Sequence, residues 1–126
     1  MKECVLSIIP GFLLKKMYKK GSLRETAEGI AFDIKNILGP GIITGINCIT
    51  INENQYNSTV IKILTSGIAI IAEHVSDDNP VLVKLNQEGT LLLEGAKGLK
   101  EGLNKIIVDL ISGEAGRIQI TLTDTL

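Results

Sequence analysis

Residues 29–37, GIAFDIKNI, run through Gly39-Pro40-Gly41 into residues 42–51, IITGINCITI. Two alternating, isoleucine-rich segments on either side of a tight turn commit this part of the chain to a β-sheet. Side chains two apart share a strand face, so Ile30, Phe32 and Ile34 fall on one side and Asp33 and Lys35 on the other. Branching at Cβ suits pleated strands better than helices, and isoleucine supplies 20 of the 126 residues. Apolar residues make up 44% of the chain and aromatics only 3%, so the core must be aliphatic.

The pattern recurs along the chain. Pro10 opens a short helical turn over Phe12, Leu13 and Met17. Tyr18 to Thr26 reads as a polar first strand, turned back at Ala27-Glu28-Gly29. Gly45 marks a bulge in the 42–51 strand, and Asn52-Glu53-Asn54-Gln55 is a polar turn. Thr59 to Leu64 is a short strand. Ile68 to His74 is apolar on both faces and therefore expected to be central or covered. Ser76-Asp77-Asp78-Asn79-Pro80 is the clearest loop. Val81 to Leu85 and Thr90 to Glu94 flank Gln87-Glu88-Gly89 as a hairpin. Residues 99–111 fit either period, but Gly98 and Gly102 disfavour helix, so a strand is expected from Lys105 to Ser112. Arg117 to Thr123 alternates cleanly.

Eight or nine short strands with turn signals every 8–12 residues predict an all-β, antiparallel sandwich of immunoglobulin-like or jelly-roll-like type. The expected layout is one domain over 1–126, with an apolar and basic segment at 1–17 and the sandwich at 18–126. Strand–helix alternation, the mark of a parallel α/β fold, is missing.

Net charge is −1, from 13 basic and 14 acidic residues, so no whole-molecule field steers nucleic acid. No transmembrane segment is expected, because the apolar N-terminal stretch is short and interrupted. Its basic cluster also follows the apolar part, the reverse of a secretory signal. Cys4 and Cys48 make no disulfide framework, which predicts a cytoplasmic protein with both thiols buried.

Ile9-Pro10-Gly11-Phe12-Leu13-Leu14-Lys15-Lys16-Met17-Tyr18, Lys20-Gly21-Ser22-Leu23-Arg24, Phe32-Asp33-Ile34-Lys35-Asn36 and Gly39-Pro40-Gly41-Ile42-Ile43-Thr44-Gly45 together resemble a family of short prokaryotic proteins. Some of its members carry the label hydroxymethylglutaryl-CoA reductase. The similarity covers most of the chain. A reductase of that kind binds coenzyme A and a nicotinamide cofactor and uses acid, lysine and histidine groups on a much longer chain. The shared motifs here are structural. No Gly-rich nucleotide fingerprint opens a helix after a strand, so no catalytic residue is carried over and no cofactor is expected. In layout the chain is also similar to the small β-sandwich subunit of C-glycoside deglycosidases, through the strand pair and the late turn Leu99-Lys100-Glu101-Gly102. That likeness implies a companion subunit.

His74 is the one side chain with an ordinary pKa near neutrality. With Glu73, Asp77 and Asp78 it would form a small strand-end site. A metal centre wants several nitrogen or sulfur ligands, and none is expected from a single histidine. Lys15, Lys16, Lys19, Lys20 and Arg24 form the one basic cluster, a candidate surface for an anionic partner. Val5, Leu6, Ile8, Ile9, Phe12 and Leu13 either cap an open end of the core or dock against another subunit. The leading expectation is a non-catalytic assembly module, homo-oligomeric or the small subunit of an enzyme complex. The alternative is a small enzyme or ligand-binding domain with its site near His74, Asp77 and Asp78.

Overall fold

A computed structural model describes residues 14–126. Val5, Leu6, Ile8, Ile9, Phe12, Leu13 and Cys4 lie outside the described residues, as does the start of the expected helical turn. Its end is seen at Leu14–Met17, where the Met17 and Tyr18 N–H groups donate to the carbonyls of Leu14 and Lys15.

The described chain is an antiparallel β-sandwich, as its alternation predicts. Ten strands follow in order: β1 (Arg24–Glu25), β2 (Gly29–Lys35), β3 (Gly41–Ile51), β4 (Asn54–Asn57), β5 (Ile61–Thr65), β6 (Ile68–Ile71), β7 (Val81–Val83), β8 (Glu88–Glu94), β9 (Leu103–Ser112) and β10 (Gly116–Thr125). Short 3-10 turns occupy Ser58–Val60 and Ala72–His74. One sheet has the order β1-β2-β8-β5-β6; the other runs β10-β9-β3-β4, with β7 also paired to β3. Among the described residues no helix is long and apolar enough to cross a membrane.

Inward side chains form facing rows. On the first sheet Ile30, Leu93 and Ile61 are cross-strand neighbours, followed by Phe32, Leu91 and Ile63. On the second sheet Ile51, Ile106 and Leu122 make one row, and Ile49, Val108 and Ile120 the next. Period-two alternation places these residues between the sheets. Ile30, Phe32, Ile49, Ile61, Leu93 and Ile106 are completely buried.

The sequence reading needs correction in four places. Tyr18 to Thr26 is a strand only at Arg24–Glu25, with Tyr18 forming an isolated bridge to Ile34; Gly21 at φ 86° interrupts the extended backbone. Asn54 and Gln55 are not turn but the start of β4, because the reversal is made by two residues, Asn52 at φ 56° and Glu53. Ile68–Ile71 is neither central nor covered: it is the edge of the first sheet, and Ile68 is 59% exposed. Residues 81–94 do not form a hairpin. β7 joins β3 in the second sheet, whereas β8 lies between β2 and β5 in the first, so the connection at Asn86 crosses from layer to layer. The ambiguous 99–111 stretch is strand from Leu103, and register shifts at Ile43/Gly45 and Ile46/Cys48 place bulges on both sides of Gly45.

Candidate functional site

The inter-sheet rows do not continue to the Gly39-Pro40-Gly41 end of the sandwich. The next inward position on β8 after Leu93 and Leu91 is Gly89, paired with Ile34. A Cβ built there meets nothing nearer than 3.6 Å. Across the gap, Ile46, Leu110 and Ile118 form the last row of the second sheet. No side chain enters from Gly89, and a cavity of about 290 Å³ lies at this end, walled mainly by aliphatic groups, among them Ile34, Ile43, Val83 and Ile118. Exposed Leu38, Pro40 and Glu114 also line it, so it opens to the surface at this end. Its volume is at the lower end for small-molecule sites, which begin at roughly 300 Å³.

Polar side chains hold the mouth in shape. Buried Asn36 donates from Nδ2 to the carbonyls of Gly39 (2.7 Å) and Lys84 (3.0 Å), and its Oδ1 accepts from the Leu38 N–H. This fixes the Gly-Pro-Gly loop against the crossing between β7 and β8. On the opposite lip Glu114 accepts from the Ser112 hydroxyl and from the Ile42 N–H. Those bonds, that of Ser112 first, hold its carboxyl below its ordinary pKa. Beyond the lips lies apolar surface. Ile42 and Leu82 are cross-strand partners on the outer face, 38% and 67% exposed, and Ile37, Leu38 and Leu85, on the loops that Asn36 joins, are exposed as well. Fully burying such a side chain is worth about 1.5–3 kcal/mol.

The opposite end is latched by buried polar groups. Asn104, completely buried, accepts from the Lys100 N–H and from Asn52 Nδ2 and donates to the Lys100 carbonyl. Asp124 accepts from the Tyr18 hydroxyl at 2.6 Å and from the Gly21 and Thr125 N–H groups. Burial pushes the Asp124 carboxyl upward, but these donors outweigh it and the net shift is down. Tyr18 is pushed well up, first by burial and then by donating to that carboxylate. Its ring packs on Phe32 at 5.8 Å and also borders the cavity, so one residue ties the wall of the cavity to the latch.

A second polar cluster lies on the outer face of the second sheet. Asp109 receives two bonds from the Arg117 guanidinium, at 3.1 and 2.6 Å, and one from Asn47. Burial raises its pKa, and the arginine and asparagine more than reverse that. Cys48 is opposite Asp109 in register and accepts from Gln55 at 3.1 Å. It is half-buried and free, where the sequence suggested full burial. A shallow trough of about 460 Å³ crosses the outer face of the first sheet beside the Ser66-Gly67 turn. Asp33 at its edge already engages Arg24 and Thr90.

The residues singled out from sequence sit elsewhere. Glu73 and His74, both exposed, end a 3-10 turn whose first residue, Ala72, is buried, and Asp77 and Asp78 occupy the following exposed loop, where Asn79 donates to the His74 carbonyl. Among the described residues no three His, Cys, Asp or Glu side chains gather to hold a metal. Lys15, Lys16, Lys19, Lys20 and Arg24 are all exposed. Lys19 lies 3.7 Å from Glu88 and Arg24 lies 3.2 Å from Asp33. The cavity was not visible from sequence. Its signal is a glycine at an inward strand position, and Gly89 read more naturally as a turn residue.

In class, then, this is an all-β, two-sheet sandwich with one latched end and one apolar, open end. Its sequence matches the family model described as hydroxymethylglutaryl-CoA reductase, N-terminal domain, over residues 13–126. The chain belongs to that family. No curated protein matches it.

Proposed function

We propose that this domain is a non-catalytic, cytoplasmic assembly module that associates through the apolar lip of its open end, either with a second copy or with a companion chain. The observation that carries the reading is the exposure of Ile37, Leu38, Ile42, Leu82 and Leu85, on loops and strands that Asn36 and Glu114 hold in place. Contiguous apolar surface on a preorganised scaffold favours association. A net charge of −1 offers little repulsion against it. The family name describes an N-terminal domain of a reductase, which is compatible with an accessory role beside a catalytic part.

Native mass spectrometry together with sedimentation velocity tests this. The expected result is a dimer or a complex with a defined companion at micromolar concentration. Leu82→Lys should weaken it at least about tenfold, or 1.4 kcal/mol, while leaving the fold intact, because Leu82 is two-thirds exposed. A chain that stays monomeric, with no retained companion, overturns the proposal.

A further inference from the structure

We infer that the outer edge of β10 pairs antiparallel with β10 of a second copy, about a two-fold axis at Ile120, so that two second sheets join into one. β10 has 10 residues and ends its sheet, whereas β1, β4 and β6, which end the other sheet edges, have 2, 4 and 4. Among the described residues nothing pairs with this edge. Open edges are commonly blunted by proline, lysine or a bulge. β10 has neither residue, and its ladder to β9 runs without a register shift. The direction of its backbone groups follows from β9. Successive residues of a strand bond to alternate sides, and the Lys105 carbonyl faces β3, accepting from the Asn52 N–H. Asn104, Ile106, Val108 and Leu110 therefore bond to Asp124, Leu122, Ile120 and Ile118 of β10. That leaves the N–H and C=O groups of Arg117, Gln119, Thr121 and Thr123 directed away from β9, along the open edge.

This set of four is symmetric about Ile120, which is why a second copy is the occupant. Turned over the axis, Arg117 meets the partner's Thr123 and Gln119 meets the partner's Thr121, each pair exchanging two backbone bonds. On the inner face Ile120 meets the partner's Ile120, and Ile118 meets the partner's Leu122, so the apolar rows run on across the axis. Ile120 is half-buried where Ile118 and Leu122 are buried, and it is the residue that pairing would cover. Charge agrees. The strand's one cation, Arg117, and one anion, Asp124, lie toward opposite ends, and antiparallel pairing sets each beside the opposite end of the partner. The two arginines stand six residues, or ~20 Å, apart. A shift of two residues would set Ile118 against the partner's Asp124 or leave Thr123 without a mate. The edge is separate from the apolar lip of the open end.

Disulfide trapping tests the register. The full chain, with Cys4→Ser and Cys48→Ser, carries Ile120→Cys and is oxidised at micromolar concentration, and the products are mapped by mass spectrometry. Residues opposite each other in a non-hydrogen-bonded antiparallel pair have Cα atoms about 4.5 Å apart, within disulfide reach. A dimer linked at position 120 is expected, with severalfold less from Thr123→Cys, whose own copy lies ~20 Å away. An equal mixture of Gln119→Cys and Thr121→Cys proteins, both altered at exposed positions, should give mainly the mixed dimer, and this arm decides if Ile120→Cys disturbs the fold. Adding Thr121→Pro removes one outward N–H, leaves the ladder to β9 intact and should cut the yield severalfold, with native secondary structure checked by circular dichroism. No dimer at position 120 together with no excess of the mixed product overturns the inference. Equal yields from Ile120→Cys and Thr123→Cys, or a yield indifferent to Thr121→Pro, overturn it as well. Leu82→Lys, which tests the apolar lip, should leave the crosslink unchanged, so either proposal can fail alone.

Discussion

The two ends of the sandwich are closed by different physics. At the Asn104 end, facing isoleucine and leucine rows are buried, and the margin is sealed by Asn52, Asn104 and Asp124; among the described residues every buried side-chain nitrogen and oxygen is paired. At the Gly39 end the rows stop short by one residue, Gly89, and the polar groups Asn36 and Glu114 shape a mouth instead of sealing it. Sheet pairing alone therefore does not finish a sandwich core. Burial is deepest where the layers interdigitate and shallower at the end where they do not.

That contrast fails if both ends respond alike to truncation. Leu93→Ala, in the completely buried row, should cost about 2–5 kcal/mol. Val83→Ala, which borders the cavity, should cost less than half as much. Equal losses in denaturant titrations would remove the distinction. Asn104→Ala should come next, at about 1–3 kcal/mol, because it leaves the Lys100 N–H and Asn52 Nδ2 without their part-buried partner.

Acid should also act on the latch and on the Asp109 cluster. The Asp124 and Asp109 carboxyls are both depressed below their unfolded value of about 3.9. Their contribution is complete above that pH and is lost as pH falls through the folded values. Thermal melts should therefore change little through this route from pH 7 to about 5 and decline below about pH 4. Asp124→Asn should flatten the decline; an unchanged slope would show that its bonds do not matter. The smallest effect is expected at the open end: Gly89→Ala should stabilise by about 0.5–1 kcal/mol, since a strand glycine costs entropy and the added methyl meets no clash. A destabilised variant would mean the space is already filled to contact.

Local pattern made much of the fold readable. Strict alternation gave β2, β3 and β10, and Gly98 and Gly102 resolved β9 in favour of strand. Pairing partners were less legible. Val81–Val83 and Glu88–Glu94 look like a hairpin because a turn joins them, yet each has better neighbours in a different layer. β6 looked buried because apolar content says nothing of sheet position. The candidate site was hardest to read, since the cavity depends on what faces Gly89 across the sandwich. The latch joins Tyr18 to Asp124 across 106 positions, and no spacing rule connects them.

The order of synthesis gives the second sheet a further consequence. β3 ends at Ile51, but its long-edge partner β9 begins at Leu103, about 52 residues later. At roughly 5–20 residues per second, the isoleucine-rich β3 waits some ~3–10 s on the ribosome with that edge unpaired. A nascent chain of this kind is exposed to non-native strand pairing during that interval. Its yield in cells should accordingly depend on translation speed and chaperone supply more than its finished stability would suggest.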